Sequence, residues 1–274
     1  MDQIKSILDE LSVPWGISPI KLRKIGINKK ILRDDLKYLI VILLPYYTKS
    51  FKKGNISRYA TCTDYHLVAM KMLDSVIQEL VQIKPENIFL PFCDNSPFDE
   101  VKAAEMAGLG CVGQNGLLIS PIYGSYVFIA EIATDLEFNI QFDRKSDEVK
   151  TCVGCGKCVL TCPTKSLQRV NGEDKYTYSN CISEITQRKG IHTQLEIENI
   201  KKSGMVWGCD ICQDKCPMNL RIQETPIEEF KKNIINNLEI SDLNGLNEKE
   251  FRKKYSDRVF NWRGIDVLKR NLTY

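Results

Sequence analysis

Eight cysteines crowded into the second half of the chain constrain its fold more than any other feature. Four of them, Cys152, Cys155, Cys158 and Cys162, are followed by Pro163 in the pattern C-x2-C-x2-C-x3-C-P. This spacing is typical of bacterial ferredoxins, in which three thiolates hold one [4Fe–4S] cluster and the fourth holds its neighbour. The run therefore predicts two clusters that pass single electrons.

A second cysteine run completes the set. Cys209, Cys212 and Cys216, followed by Pro217, give C-x2-C-x3-C-P, which is one cysteine short of the full motif. Cys181 is the only other cysteine in this half, and it brings the total to the eight thiolates that two cubane clusters need. The crossing rule then predicts two ligand sets. They are Cys152, Cys155, Cys158 and Cys216 for the first cluster, and Cys162, Cys181, Cys209 and Cys212 for the second.

The same C-x2-C units also occur in zinc knuckles, which are the alternative interpretation. The full spacing with its proline is more typical of iron–sulfur proteins than of zinc sites. The chain has only two histidines, His66 and His192, which disfavours a histidine-rich metal site. The remaining cysteines, Cys62, Cys93 and Cys111, are expected to be buried and to pack like small hydrophobic residues.

Hydrophobicity patterns divide the 274 residues into three predicted domains. Residues 1–148 mix strand and helix patterns and predict an α+β domain with an α/β-type core. Residues 149–225 form a predicted ferredoxin-like double-cluster domain, and residues 226–274 a short helical tail. The charged segment 143–148 is the predicted linker between the first two domains.

Individual elements follow from local patterns. The apolar run 37–44 predicts a buried strand, and the apolar spacing over 63–83 predicts a long helix. Ser96 precedes a proline and an acid, which predicts a helix N-cap. In the tail, apolar spacing predicts helices over 227–237 and 247–255.

Composition indicates a cytoplasmic protein. The longest apolar run, residues 38–44, is too short to span a bilayer, and the N-terminus lacks a signal-peptide pattern. Clustered cysteines in a reducing compartment bind metal more often than they form disulfides. The net charge of +3 neither requires nor excludes a nucleic-acid partner, because such binding depends on local basic patches.

Four segments of the first half carry a resemblance to a known family: residues 39–46, 64–66, 107–119 and 124–132. Together with the eight cysteines they resemble epoxyqueuosine reductases, cobalamin-dependent enzymes that perform the last step of queuosine biosynthesis in tRNA. The core of that family is related to reductive dehalogenases. The glycine-rich stretch A-G-L-G-x-x-G-x-N and the strand G-S-x-x-F make the resemblance most specific.

The resemblance implies a catalytic and corrinoid-binding role for the first domain. It implies that Asp94, within Cys93-Asp94-Asn95-Ser96-Pro97, is a catalytic acid, where the residues alone favour a turn-forming aspartate. It also implies that the glycine-rich turn approaches the cofactor, although close packing of a helix end explains such glycines equally well. The implied cofactor-binding residues are Arg58, Tyr59, Gly108, Gly110, Gly113, Asn115 and Ser125.

The activity implied by the resemblance is cobalamin-dependent reduction of epoxyqueuosine in tRNA. An external donor of the flavodoxin or ferredoxin type would supply electrons to the clusters, and Asp94 would protonate the leaving oxygen. A monomer without membrane contact is expected. Two alternatives stay open: a diverged cobalamin-dependent reductase of a small molecule, and a two-cluster electron-transfer protein without its own substrate.

Three positions depart from the family pattern, which usually has Trp at Cys111, Lys at Gln114 and Thr at Gly116. The chain resembles a short member without the C-terminal helical-repeat extension, so weaker tRNA binding is expected. The final 25 residues form the most basic stretch, and they indicate either a tRNA-binding surface or a solvated helix face. The cations concerned are Arg252, Lys253, Lys254, Arg258, Arg263, Lys269 and Arg270.

Overall fold

A computed structural model describes residues 2–20, 33–139 and 151–274, so the predicted linker 143–148 lies outside the described residues. The described strands are β1 (Trp15–Pro19), β2 (Tyr38–Pro45), β3 (Phe89–Cys93), β4 (Cys111–Val112), β5 (Leu118–Ile119), β6 (Val127–Thr134), β7 (Leu167–Val170) and β8 (Glu173–Tyr176). The described α-helices are α1 (Asp2–Asp9), α2 (Arg58–Thr61), α3 (Tyr65–Ile83), α4 (Glu100–Met106), α5 (Lys157–Thr161), α6 (Ile182–Gln187), α7 (Gln194–Ser203), α8 (Ile211–Asp214), α9 (Ile240–Leu243), α10 (Glu248–Lys254) and α11 (Ile265–Thr273).

The main sheet has the strand order β1-β2-β6-β3, and each neighbouring pair is antiparallel. The expected α/β-type core is therefore wrong, and the molecule is a mixed helix and sheet fold of α+β type. Two short antiparallel ribbons, β4-β5 and β7-β8, stand outside this sheet.

The strand predicted over 37–44 is confirmed as β2, and it is buried on both faces. Side chains alternate along a strand, so successive residues pack on opposite sides of the sheet. One side holds α1, α3 and the tail, and the other holds α4. The residues of β2 divide into Ile40, Ile42 and Leu44 on the first side and Leu39, Val41 and Leu43 on the second.

The predicted N-cap at Ser96 is wrong, although a helix does follow it. The Ser96 hydroxyl donates to the buried Glu131 carboxylate and accepts from the Phe98 N–H at 3.2 Å. The N-cap of α4 is instead Asp99, which accepts from the Lys102 N–H at 3.1 Å. A buried carboxylate needs a hydrogen-bond donor, and this requirement turns Ser96 inward.

The tail helix predicted over 247–255 is confirmed as α10, but the helix predicted over 227–237 is wrong. That segment holds only the 3₁₀ turn Glu228–Phe230. Farther along, the Ile235 N–H donates to the Thr61 carbonyl at 2.9 Å, so the backbone bonds to a distant segment instead of to its own turns.

Aromatic side chains from the cluster region and the tail share the main core with α3. Trp207, Phe230, Phe251 and Phe260 are all fully buried in it, together with Leu73. Parts of the three predicted domains thus pack together, and the boundaries at 148 and 225 stay predictions. Across the described ranges, no helix has the length and apolar character needed to cross a bilayer.

Candidate active site and cluster-binding region

The first four-cysteine set is gathered around the start of α5. Gly156 caps this helix in the left-handed conformation, with φ of 68°. Burial, and then the neighbouring thiols of Cys152 and Cys155, raise the pKa of both Cys158 and Cys216. The structure thus brings Cys216 next to thiols that precede it by some 60 residues in the chain.

The second four-cysteine set, Cys162, Cys181, Cys209 and Cys212, lines part of a cavity of about 310 Å³. Burial, with smaller contributions from neighbouring thiols that include Cys181, raises the pKa of Cys209 and of Cys212 to about 12. This environment disfavours free thiolates, whose charge a bound metal cluster would compensate.

The remaining three cysteines, Cys62, Cys93 and Cys111, are buried, as predicted. Cys111 lies beside the first set. Burial and then the neighbouring Cys152 thiol raise its pKa. Within the part of the chain that the structure describes, no three His, Cys, Asp or Glu side chains are arranged to hold a single metal ion.

Aromatic side chains line the same cavity. Tyr46, Tyr59, Tyr65 and Phe128 line it, and they come from the end of β2, from α2, from α3 and from β6. The rings of Tyr65 and Phe128 are stacked, with centroids 4.1 Å apart and an interplanar angle of 12°. Burial raises the pKa of Tyr59 and Tyr65, so both phenols are neutral at physiological pH.

Of the predicted cofactor contacts, Tyr59, Asn115 and Ser125 line this cavity. Asn115 is 7% exposed, and its Nδ2 has no partner in hydrogen-bonding geometry, although it lies near the Cys212 thiol. The Ser125 hydroxyl is already engaged, since it donates to Gln213 at 3.0 Å and accepts from Asn219 at 2.9 Å. Asn115 therefore offers the unused donor.

The predicted cofactor contact Arg58 does not line this cavity. Its guanidinium lies 3.8 Å from the centroid of the Phe51 ring and 3.4 Å from Asp214. Its backbone N–H donates to the Asp210 carboxylate at 2.8 Å. These contacts fit a residue that joins α2 to the cluster region.

The three predicted glycines are also absent from the cavity lining. Gly108 ends α4 with φ of 78°. A Cβ at Gly110 would stand 2.4 Å from the Ile119 carbonyl oxygen, and one at Gly113 would stand 2.7 Å from Ile119 Cδ1. The last two glycines thus permit close packing against β5, as the alternative interpretation of this turn expected.

Asp94 follows β3 and lies beside the start of α3. Its φ is 67°, an uncommon backbone conformation for a residue other than glycine. The Tyr65 hydroxyl donates to Asp94 Oδ2 at 2.9 Å, and His66 Nε2 stands 3.6 Å from the same oxygen. In parallel α/β sheets, functional residues lie at the carboxyl ends of the strands. This sheet is antiparallel, so that rule does not explain the position of Asp94.

Sequence reasoning assigned no role to Tyr65 or Asp210. Asp210, next to a cluster cysteine, accepts from the Ser57 hydroxyl at 2.6 Å, and burial raises its pKa to about 6. Tyr65 belongs to the quoted segment 64–66, but only the fold shows that its ring reaches both the cavity and Asp94.

Two protein-family models match the chain. The model described as "Epoxyqueuosine reductase QueG, DUF1730" matches residues 28–95, which include α3 and Asp94. The model described as "4Fe-4S double cluster binding domain" matches residues 151–219, which include all eight cysteines of the two sets. The cysteine region is therefore a double-cluster binding domain, as its spacing predicted.

Curated and solved proteins agree with both matches. An epoxyqueuosine reductase of Synechocystis is 34% identical over 253 residues, which cover 89% of this chain and 84% of that protein. The chain belongs to the epoxyqueuosine reductase family. The solved Streptococcus thermophilus epoxyqueuosine reductase has 26% identity and a TM-score of 0.78, covering 98% of this chain and 78% of that one.

A further epoxyqueuosine reductase was solved with an epoxyqueuosine-modified stem loop of tyrosine tRNA. It shares 23% identity with this family member at a TM-score of 0.78, and the match covers 99% of this chain and 79% of that one. At this identity the likeness establishes the shared fold.

Proposed function

We propose that this protein reduces epoxyqueuosine to queuosine in tRNA, using two [4Fe–4S] clusters and cobalamin. One observation carries the proposal: the second cysteine set and Tyr65 line the same cavity, and the Tyr65 hydroxyl donates to Asp94. An electron source, a space for a cofactor and a proton donor thus meet at one place.

The proposed cluster ligands are the two predicted sets. Cys155 of the first set is exposed, whereas Cys209 and Cys212 of the second set face the cavity. Electrons from a flavodoxin- or ferredoxin-type donor would therefore enter at the first cluster and leave from the second. The proximity of the thiols within each set supports this division.

The cavity residues fit a corrinoid cofactor. Tyr59 and Tyr46 provide flat apolar surface, and the orphan Asn115 amide provides a buried donor for a ring amide or a cluster sulfur. Cobalamin, when bound, supplies a strongly reducing cobalt centre. Arg58 and the three glycines are not included in this proposed contact set.

Asp94 is the proposed proton donor to the oxygen that leaves the substrate. The Tyr65 hydroxyl donates to one carboxylate oxygen, and the Tyr65 ring is itself held by stacking on Phe128. Removal of an epoxide oxygen as water consumes two electrons and two protons, so a proton donor at this place meets a requirement of the reaction.

A basic groove at the tail supports tRNA as the substrate. Lys189 and Arg263 are among the residues that line this groove of about 650 Å³, and Arg263 stacks on the exposed Trp262 at 3.6 Å. Beside the cavity, Tyr176 and Tyr178 are exposed, with ring centroids 6.1 Å apart. Cations and exposed rings of this kind bind phosphates and unstacked bases of single-stranded loops.

Several of the predicted tail cations donate to backbone carbonyl oxygens of the fold. Arg258 is 4% exposed and donates to the carbonyl oxygens of Thr61 and Asn233. Arg270 donates to the carbonyl oxygens of Arg188 and Gly190. These two arginines stabilise the fold, although Arg270 also lines the groove. Lys269 lines it as well, and its Nζ donates to the Leu246 carbonyl at 3.4 Å. Arg263 and Lys189 are the proposed phosphate contacts.

The proposal is tested by offering the reconstituted protein three substrates under reducing conditions. These are epoxyqueuosine tRNA, its anticodon stem loop and the free nucleoside, with the products measured by mass spectrometry. Both RNAs should be converted at much lower concentration than the nucleoside. Equal use of the free nucleoside would favour the small-molecule reductase, and no conversion with full cofactor loading would favour the electron carrier.

A further inference from the structure

Asp94 is linked to a second carboxylate through one histidine. His66 Nδ1 lies 2.8 Å from Asp64 Oδ1, and His66 Nε2 lies 3.6 Å from Asp94 Oδ2. The imidazole ring stacks on Tyr65, with centroids 4.1 Å apart. A histidine between two carboxylates is arranged to hold a proton and to pass it to either of them.

The backbone fixes this arrangement. Asp64 is the N-cap of α3, and its Oδ1 accepts from the His66 N–H at 2.9 Å as well as facing Nδ1. The Asp64 carboxylate therefore keeps a proton on Nδ1 and turns Nε2 toward Asp94. The His66 side chain is 42% exposed, so solvent water can reprotonate the imidazole.

We propose that His66, oriented by Asp64, holds the proton that Asp94 delivers to the substrate and returns a proton to Asp94 after each delivery. This inference rests on the proposed function, since it assigns the proton supply of the same site. His66 is a positioning residue in this scheme, because it acts on the substrate only through Asp94.

The surrounding groups favour a protonated His66. Hydrogen bonds to Asp64 and Asp94 raise its pKa to about 9 against the opposing effect of burial. Other titratable groups beside Asp94 are the Cys93 thiol and the phenols of Tyr65, Tyr59 and Tyr178, whose own pKa values are raised mainly by burial. These groups are neutral at pH 7, and the two carboxylates are the charges that act on the imidazole.

The proton balance shows why such a supply is useful. Both C–O bonds of the epoxide break, and its single oxygen takes up two electrons and two protons and leaves as water. The two electrons come from the external flavodoxin- or ferredoxin-type donor through the clusters. Asp94 holds one proton at a time, so it must be recharged between the two deliveries, and His66 Nε2 is placed to do so.

The first test is an NMR titration of the imidazole nitrogens in the intact holoprotein. The chain has two histidines, and His192 serves as an internal reference, because burial and then Arg270 lower its pKa. His66 should titrate near pH 9, and Asp64→Asn should move it toward 6.5. Asparagine is also a good N-cap, so this variant removes the charge and keeps the helix. Titration of His66 near 6.5 in the unaltered protein would overturn the inference.

The second test is the pH dependence of single turnover. The rate of the unaltered protein should fall above about pH 9, and in Asp64→Asn this fall should begin at least one pH unit lower. His66→Gln should slow the reaction about tenfold or more with cobalamin and iron contents unchanged. A full rate and an unchanged profile in His66→Gln would contradict the inference. Absence of turnover in the unaltered protein would contradict the proposed function, and the NMR titration would still decide the state of His66.

Discussion

The Tyr65 hydroxyl donates a hydrogen bond of 2.9 Å to Asp94 Oδ2, while the ring of the same tyrosine forms part of the cavity wall. Asp94 is largely exposed, with 65% of its side-chain surface accessible, and this bond contributes to fixing its direction. One residue thus ties the proposed proton donor to the proposed cofactor space.

The protein purified without oxygen should contain about eight irons and eight acid-labile sulfides, because two cubane clusters need eight thiolate ligands. Cys181→Ala should remove mainly the signal of the second cluster. Cys62→Ala is the matched control, since that thiol is buried in the core and belongs to neither set. Stoichiometric zinc, or about four irons in the unaltered protein, would contradict the cluster assignment.

Cobalamin should remain bound to the reconstituted protein through gel filtration and give a base-off Co(II) signal in electron paramagnetic resonance. Asn115→Leu removes the unused buried donor and should weaken cobalamin binding by about fivefold, the value of one hydrogen bond of about 1 kcal/mol. Gln194→Leu on the exposed surface of α7 is the control and should bind normally. Equal retention by the two variants would exclude Asn115 as a contact.

Stability should depend on pH through His66. A histidine whose pKa is raised in the folded state stabilises that state fully below its unfolded value of about 6.5, and this stabilisation is lost as pH rises through about 9. The urea midpoint of the unaltered protein should therefore fall from pH 6.5 to 9. In Asp64→Asn this fall should be smaller and end at lower pH, and an identical pH dependence would contradict the His66–Asp64 pairing.

Binding of the tRNA stem loop should weaken with salt. Replacement of both Lys189 and Arg263 by Gln should reduce affinity and lower the slope of log K against log salt by about one per lost phosphate contact. Lys5→Gln on α1, outside the groove, is the control. An unchanged slope in the double variant would place the RNA elsewhere on the protein.

Local patterns predicted the parts of this molecule whose physics is local. The cysteine spacing reflects the geometry of a cluster loop, and the double run over Cys152–Cys162 and Cys209–Cys216 is matched by a double-cluster model. The strand β2 was equally readable, because a run that is apolar on both faces has to be buried.

Long-range packing decided what the sequence did not reveal. The antiparallel sheet depends on which strands meet, and Ser96 turned inward because Glu131 on β6 needed a donor. Segment 227–237 does not form the predicted helix, because its backbone makes hydrogen bonds to distant segments, such as that from the Ile235 N–H to the Thr61 carbonyl. The role of Tyr65 emerged only when α3 placed it between Asp94 and the cavity.

The most direct test is conversion of epoxyqueuosine tRNA to queuosine tRNA by the holoprotein, with a strong chemical reductant and added cobalamin. The unaltered protein should form queuosine, Asp94→Ala should form essentially none, and Tyr65→Phe should be slowed about tenfold, which corresponds to about 1.4 kcal/mol. All three proteins should retain about eight irons and bound cobalamin. Full activity in Asp94→Ala, or no conversion by the loaded unaltered protein at low salt and high tRNA concentration, would contradict the proposed reaction.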